Sequence, residues 1–265
     1  MAPMARSRES APTLHQFHSG SAVGDAVTSA MFLMQEHLRA LGFQSEIFVE
    51  HVGAGLEGRV LPHTQYRWSR RDAFIVHHSM GHDLGDWVKG LPRPKLLVYH
   101  NVTPAEFFPE GSGTRHYATL GRAMLDDFRP HFDAAIAVSE LNAQELRERG
   151  YANVSVVPIL FDLDELRTSE WALTDRDEAS FTILFVGRVS ENKRQHEFLE
   201  VMRQLERMME RPSRLVLVGD DRTPYGQQLR QRIEDAGLGH RVLVTGKIPR
   251  PELLGCTDVL TPFSP

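Results

Sequence analysis

Short apolar runs alternate with amphipathic stretches along the first 160 residues of the chain. The runs are rich in Val, Ile, Leu and Phe and have the length of buried strands. We predict strands at 13–17, 46–49, 73–77, 95–99, 134–138 and 155–158. Strands that alternate with helical patterns are typical of a parallel sheet with helical crossovers, so the pattern predicts an α/β fold.

The first amphipathic stretch runs from about residue 24 to residue 41. Its apolar side chains recur on one stripe, which consists of Val27, Met31, Met34 and Leu38. Gly42 follows at the C-cap, where a left-handed conformation favours glycine. We therefore predict a helix that packs one face against the sheet.

A second series of three apolar runs begins at residue 181. The runs are 181–187, 214–219 and 241–246, and they end in Gly187, Gly219 and Gly246. Open parallel sheets bind their ligands outside the carboxyl ends of the strands, and a glycine there lets a ligand approach the backbone. The three glycines are therefore candidate binding residues.

The stretch 161–180 separates the two series and is rich in charged side chains, as exposed connections are. We therefore predict two Rossmann-like, doubly wound domains at 1–160 and 181–265, with a linker between them. The second series stops at its last apolar run without a closing helix, so we expect the second domain to be incomplete.

The stretch 184–200, "LFVGRVSENKRQHEFLE", places two cations directly before a helical pattern. Asn192 as N-cap and Gln195 three residues later predict a helix that reaches about residue 210. Lys193 would then lie in the first turn, where unpaired N–H groups and the helix dipole disfavour a cation unless an anion binds there. Arg188 and Lys193 together predict a diphosphate site. The alternative is that both are solvated loop charges.

Composition limits the partners. The 265 residues are 41% hydrophobic and 25% charged, with a net charge of −5, which gives no overall attraction to nucleic acid or anionic lipid. The single cysteine, Cys256, excludes a disulfide framework and fits a reducing cytoplasm. We expect no signal peptide and no transmembrane segment, because the apolar runs are too short. This expectation is compatible with peripheral membrane association.

The motifs of the second half, in their order along the chain, resemble the donor half of glycosyltransferase family 4. Members of that family are retaining enzymes with the GT-B fold. The segments that carry the resemblance are "FVGRVSENK", "LVLVGDD", "VTGKIPRPEL" and "CTDVLTPFSP". The resemblance implies that Arg188 and Lys193 bind the diphosphate of a nucleotide sugar. It also implies that Ile248 lines the nucleobase pocket.

Two segments of the first half extend the resemblance. "FHSGSAVGDAV" is similar to the glycine-rich turn of the family and contains Gly20, Gly24 and Asp25. Asp25 is also a candidate N-cap of the first helix. "LLVYHNVTPAEFF" is similar to the segment that carries the active-site histidine of the family, which implies that His100 contacts hydroxyls of the transferred sugar. The alternative is that His100 is a structural histidine that bonds a nearby backbone carbonyl.

The implied reaction moves a sugar, of the hexosyl type, from a nucleoside diphosphate to an acceptor hydroxyl with retention. The acceptor is a glycan, a lipid-linked glycan or a small metabolite. No metal or other cofactor is expected, since the adjacent Asp220 and Asp221 should diverge. The chain departs from the family pattern because it ends before the glycine loop and glutamate pair that hold the donor sugar. We therefore expect a truncated chain, a fragment or part of a split enzyme.

Alternative functions remain open. One is a noncatalytic remnant or subunit of a split GT-B protein. Another is a GT-B sugar-nucleotide epimerase or a nicotinamide-dependent dehydrogenase. His77 and His78 are adjacent in a strand and should point to opposite faces, so they are not a metal pair. The arginines of 67–71 lack the motifs of a nucleic-acid reader.

Overall fold

The computed structural model describes residues 11–162 and 180–248 of the chain. The chain divides into two compact units, Met1–Phe161 and Asp162–Pro265. The predicted linker at 161–180 falls largely outside the described residues, and so does Cys256. Each unit holds its own parallel sheet and its own apolar core.

Seven parallel strands form the sheet of the first unit. They are β1 (Thr13–Gly20), β2 (Ile47–His51), β3 (Leu61–Pro62), β4 (Asp72–His78), β5 (Lys95–Tyr99), β6 (Ala134–Ala137) and β7 (Val154–Val156). The order across the sheet is β3-β2-β1-β4-β5-β6-β7, so the chain winds outward from β1 and then from β4. This is a doubly wound sheet with its switch point between β1 and β4. The six predicted strands are confirmed, whereas β3, a two-residue edge strand, was missed.

Four helices connect these strands. They are α1 (Ala26–Ala40), α2 (Gly85–Gly90), α3 (Gly113–Phe128) and α4 (Glu140–Glu148). Oxygen-bearing side chains cap three of them, because Asp25, Ser112 and Ser139 each accept a hydrogen bond from the backbone N–H three residues later. Among the described residues, no helix is both long and apolar enough to cross a membrane.

The sheet of the first unit buries apolar side chains on both faces. Phe17 and Tyr99 pack with Phe128 of α3 in the larger cluster, and all three are fully buried. Met31 of α1 packs with Ile47 in a separate cluster. Since both faces are covered, the carboxyl edge of the sheet is where polar side chains can collect.

The second unit contains a sheet of three parallel strands among the described residues. Its elements are β8 (Phe181–Val186), α5 (Phe198–Met208), β9 (Ser213–Val218), α6 (Pro224–Asp235) and β10 (Val242–Gly246). The strand order is β10-β9-β8, and all three strands were predicted. Leu215 and Leu217 of the central strand pack against Met202 of α5 and Ile233 of α6. The second unit is therefore also α/β, as predicted.

The predicted helix start at Asn192 is wrong. Residues Glu191–Lys193 form a 3₁₀ turn, and Arg194 then adopts a left-handed conformation with φ of 53°. A left-handed residue cannot continue a right-handed helix, so the turn ends there. A second 3₁₀ turn covers Gln195–Glu197, and α5 begins only at Phe198. Lys193 therefore lies in a loop before α5, not in its first turn.

Candidate functional site

The carboxyl edge of the first sheet carries a cluster of histidines near its switch point. His18 lies near the end of β1, His77 lies near the end of β4, and His100 directly follows β5. These three strands are neighbours in the order β1-β4-β5. The register places Gln16 opposite Ile75 and His77 opposite Val98. Because side chains alternate along a strand, Gln16, His77 and His100 share one face of the sheet.

His100 is held at its backbone and at one ring nitrogen. Its N–H donates to the carbonyl of His78 at 2.9 Å, and its Nε2 lies 2.9 Å from Nδ1 of His77. The other ring nitrogen, Nδ1, is buried and has no hydrogen-bond partner among the described residues. Burial lowers the pKa of His100 to about 4, and the nearby His18 acts in the same direction. The ring is therefore neutral at neutral pH.

A hydrogen-bond network holds the turn that follows His100. The Tyr99 hydroxyl donates to Glu145 at 2.8 Å and accepts from the N–H of Val102 at 3.3 Å. Arg122 donates to Glu145 at 2.6 Å and to the Val102 carbonyl at 2.9 Å. Both backbone polar groups of Val102 are therefore bonded, which fixes the turn and with it the position of His100.

The glycine-rich turn after β1 leads directly into α1. Gly20 ends the strand, and Gly24 has a φ of 81°. Glycine adopts this left-handed conformation at little energetic cost. The Asp25 carboxylate accepts from the N–H of Thr28 at 2.8 Å and from its hydroxyl at 3.0 Å. The prediction that Asp25 caps α1 is confirmed. A contact between this turn and a substrate stays a prediction.

His77 and His78 point to different partners, as their adjacency in a strand predicted. His77 contacts Gln16 and His100, whereas Nε2 of His78 donates to the carbonyl of Gly121 at 2.7 Å. Burial lowers the pKa of His78 to about 4. Among the described residues, no group of three or more His, Cys, Asp or Glu side chains could hold a metal ion.

A cavity of about 250 Å³ opens at the same sheet edge. It was missed by the sequence analysis, because its lining comes from segments that are distant along the chain. The lining residues are Ser19, Gly20, Glu50, His51, Met80, Gly81, His82, Asp83 and Tyr117. Of the predicted site residues, Gly20 alone belongs to this lining.

The three strand-end glycines of the second unit lie at the ends of strands that are hydrogen-bonded to one another. The N–H of Gly187 donates to Val218 at 2.9 Å, and the N–H of Gly219 donates to Gly246 at 3.0 Å. A Cβ atom at Gly219 would lie 1.9 Å from the carbonyl oxygen of Gly187. Because that oxygen belongs to the backbone, no side-chain movement could relieve the overlap. The edge of this sheet is therefore built from closely spaced backbone, and it requires glycine at position 219.

The loop after β8 presents Arg188 and Lys193 on the surface. Both side chains are exposed, and neither forms a hydrogen bond or ion pair with another residue of the described ranges. Gln195 holds the loop from inside, since it is fully buried and its amide donates to the Arg188 carbonyl at 2.7 Å. The predicted cations are thus present on an anchored loop, although Gln195 does not act in a capping box.

Asp220 and Asp221 diverge, as predicted. Asp220 pairs with Arg222 at 2.7 Å, and Asp221 accepts from Nε of Arg230 at 2.6 Å. Each carboxylate is therefore neutralised by its own arginine. Ile248 is half-buried near the end of the described residues, and its contact with a nucleobase stays a prediction.

Residues 172–259 match the family of glycosyl transferases group 1. This segment includes Arg188, Lys193 and the three glycines. No curated protein matches the chain.

Solved glycosyltransferase structures resemble this chain. A glycosyltransferase from Rickettsia africae superposes with a TM-score of 0.64 at 15% identity, over 94% of this chain and 72% of that one. Anabaena HepE in complex with UDP gives 0.62 at 17% identity, over 92% and 71%. The sucrose-phosphate synthase of Thermosynechococcus elongatus gives 0.57 at 14% identity, over 92% and 72%. This likeness confirms the predicted GT-B fold class.

Proposed function

We propose that the chain is a retaining glycosyltransferase that takes a hexosyl group from a nucleoside-diphosphate sugar. The observation that carries the proposal is the match of residues 172–259 to group 1 glycosyl transferases, which includes the loop with the two exposed cations. HepE, which shares the fold, is described in complex with UDP. A uridine diphosphate is therefore the first donor nucleotide to test.

The second unit offers the groups that a diphosphate needs. Arg188 and Lys193 are exposed and without partners among the described residues, so their positive charge is available to a ligand. The bonded glycine edge allows phosphate oxygens to approach backbone without a side chain between them. Guanidinium and ammonium groups form the strongest hydrogen bonds with phosphate, and we assign both residues to the diphosphate.

The same cations would assist the chemical step. When the bond from the sugar to the diphosphate breaks, negative charge grows on the bridging phosphate oxygen. A positioned donor that meets such charge contributes on the order of 3 kcal/mol to transition-state stabilisation. In this proposal Arg188 and Lys193 bind the donor and stabilise the leaving group, so no metal ion is required.

The first unit supplies polar groups for sugars. Nδ1 of neutral His100 has no hydrogen-bond partner in the part of the chain that the structure describes, so it can accept from a sugar hydroxyl. Gly20, Gly24 and Asp25 form the turn at the same edge, and we assign this turn to substrate binding. The acceptor is assigned by class alone, as a hydroxyl of a glycan, a lipid-linked glycan or a small metabolite.

Calorimetric titration of the full chain with UDP and GDP tests the proposal. Hydrogen bonds to charged groups contribute about 1.5–3 kcal/mol, so Arg188→Ala and Lys193→Ala should each weaken nucleotide binding about tenfold or more. Arg203→Ala is the matched control, because Arg203 is exposed on α5 of the same unit and faces Glu200 at 3.6 Å. Its affinity should equal that of the parent.

Two results would contradict the proposal. If neither nucleotide binds the folded chain, the donor assignment is wrong and a noncatalytic role is favoured. If both variants bind UDP or GDP as tightly as the parent does, the two cations have been misassigned.

A further inference from the structure

Three side chains on neighbouring strands form a continuous hydrogen-bonded relay. The Gln16 amide nitrogen donates to the carbonyl of Met31 at 3.0 Å, and its oxygen lies 3.0 Å from Nε2 of His77. Nδ1 of His77 then lies 2.9 Å from Nε2 of His100. The exposed fraction is 0% for Gln16 and 2% for His77, so water does not interrupt the relay.

The relay has a direction that starts at the backbone. The carbonyl of Met31 can only accept, so the amide nitrogen of Gln16 must face it. The amide oxygen of Gln16 then faces His77 and can also only accept. Nε2 of His77 must therefore carry a hydrogen. In a neutral imidazole the other nitrogen is bare, which makes Nδ1 of His77 an acceptor.

The same reasoning applies to His100. Because Nδ1 of His77 accepts, Nε2 of His100 must donate, and the remaining nitrogen of a neutral His100 is a bare acceptor. The ring planes are inclined to each other by 25° with centroids 5.2 Å apart, and the facing nitrogens lie at hydrogen-bond distance, 2.9 Å. Burial lowers the pKa of His77 well below its usual value, and the neighbouring His100 adds to this effect, so both rings are neutral.

We propose that Gln16 is a positioning residue which, through His77, fixes His100 as the tautomer with a hydrogen on Nε2 and a bare, accepting Nδ1. If the proposed function is correct, this tautomer makes His100 an acceptor for a substrate hydroxyl and prevents it from donating. The buried Nδ1 without a partner among the described residues is the atom that the relay prepares. Neither Gln16 nor the tautomer follows from the glycosyltransferase assignment.

The direction of the relay also defines what would reverse it. A proton added to His77 would turn its Nδ1 into a donor, so Nε2 of His100 would have to accept. His100 would then carry its hydrogen on Nδ1 and would offer a donor to the substrate. A carboxylate in the place of the Gln16 amide would favour this protonation of His77. The amide oxygen does not favour it, because a neutral oxygen does not stabilise a cationic imidazole as a carboxylate does.

Long-range ¹H–¹⁵N correlation spectra of the ¹⁵N-histidine-labelled full chain at pH 7.5 read the tautomers directly. In the parent protein His77 and His100 should both show a protonated Nε2 and a bare Nδ1. Single replacements of each histidine assign the signals. A protonated Nδ1 on His100 in the folded parent would overturn the inference without any variant.

Variants then test whether Gln16 and His77 carry the effect. Gln16→Leu should remove the bare Nδ1 signature of His100, so that its two nitrogen resonances move toward each other. Gln35→Leu is the matched control, since Gln35 is also buried and its amide also donates to a backbone carbonyl, that of Ser45 at 2.9 Å. It should leave the His100 signature intact. An unchanged signature in Gln16→Leu would contradict the assignment of Gln16.

A pair of variants at position 77 provides a conservative rescue. His77→Asn keeps an oxygen near the place of Nδ1, so His100 should retain its tautomer. His77→Leu removes the acceptor, so the tautomer should be lost. If both variants behave alike, the relay does not act through this atom.

These measurements are independent of nucleotide binding. If the relay is observed but UDP and GDP fail to bind, the proposed function fails while the tautomer assignment stands. If the nucleotides bind but His100 has the opposite tautomer, the inference about Gln16 fails alone.

Discussion

At the carboxyl edge of the seven-stranded sheet the polar side chains are buried and bonded to one another, whereas at the edge of the three-stranded sheet the two candidate cations are exposed. Gln16, His77 and His100 form a neutral relay in the first unit. Arg188 and Lys193 in the second unit have no side-chain partners among the described residues. The polar groups of the first edge are bonded to one another, whereas the two charges of the second edge face solvent.

The difference follows from the physical cost of burial. A neutral hydrogen-bonded ring can be buried, because each polar atom exchanges water for a protein partner. An unpaired cation cannot be buried at acceptable cost, so it must remain in solvent until an anion binds. We therefore expect substitutions at the first edge to alter stability, and substitutions of the cations to alter affinity.

The largest expected effect comes from Gly219→Ala. The added Cβ would lie 1.9 Å from the carbonyl oxygen of Gly187, so the two strand ends must separate. We expect a loss of more than about 2 kcal/mol in the free energy of unfolding, measured by urea denaturation. Gly113→Ala is the control, because a Cβ there meets open space at the start of α3. Equal stability of Gly219→Ala and the parent would contradict the close backbone approach.

A loss of stability is also expected in acid. Burial lowers the pKa of His78 to about 4 and that of His82 to about 3, below the value of 6.5 in the unfolded chain. Between pH 6.5 and those values the unfolded state binds protons that the folded state excludes. The free energy of unfolding should therefore fall as the pH falls, by about 1.4 kcal/mol per pH unit for each such histidine.

His78→Gln tests this pH dependence, since glutamine can keep a donor near the Gly121 carbonyl but does not titrate. Urea denaturation from pH 7 to pH 4.5, followed by hydrogen exchange in the first unit, should show a smaller loss of stability in the variant. His37→Gln is the control, because His37 is exposed on α1. If His78→Gln and the parent lose stability equally, buried His78 does not set the acid response.

The smallest expected effect comes from Tyr99→Phe. The change leaves the N–H of fully buried Val102 without its acceptor, at a cost of about 1–2 kcal/mol. It should also loosen the turn after His100, which faster amide exchange at Asn101 and Val102 would report. Tyr117→Phe is the control, because its hydroxyl bonds Asp83 at the surface. Unchanged exchange in Tyr99→Phe would show that Arg122 alone holds the turn.

The strands were predictable because buried parallel strands read as continuous apolar runs, which local sequence is sufficient to reveal. β3 was not, since two residues at a sheet edge leave no pattern. The start of α5 was misplaced because Asn192 and Gln195 imitate a capping box. The structure uses the Gln195 side chain for a buried bond to Arg188, a contact that helix-start rules do not consider.

The candidate site, like the fold, was predictable from the sequence only in part. Strand-end positions and the family resemblance selected His100 and the three glycines as candidates. The role of Gln16 was missed, because it depends on the register of three strands that are far apart in the chain. Such long-range pairing leaves no local signal in a single sequence.

The hydrogen bonds that join Gly187 to Val218 and Gly219 to Gly246 continue the sheet one step beyond its regular strands. They tie the carboxyl ends of β8 and β10 to that of β9, so this edge of the three-stranded sheet is bonded backbone and not three separate strand ends.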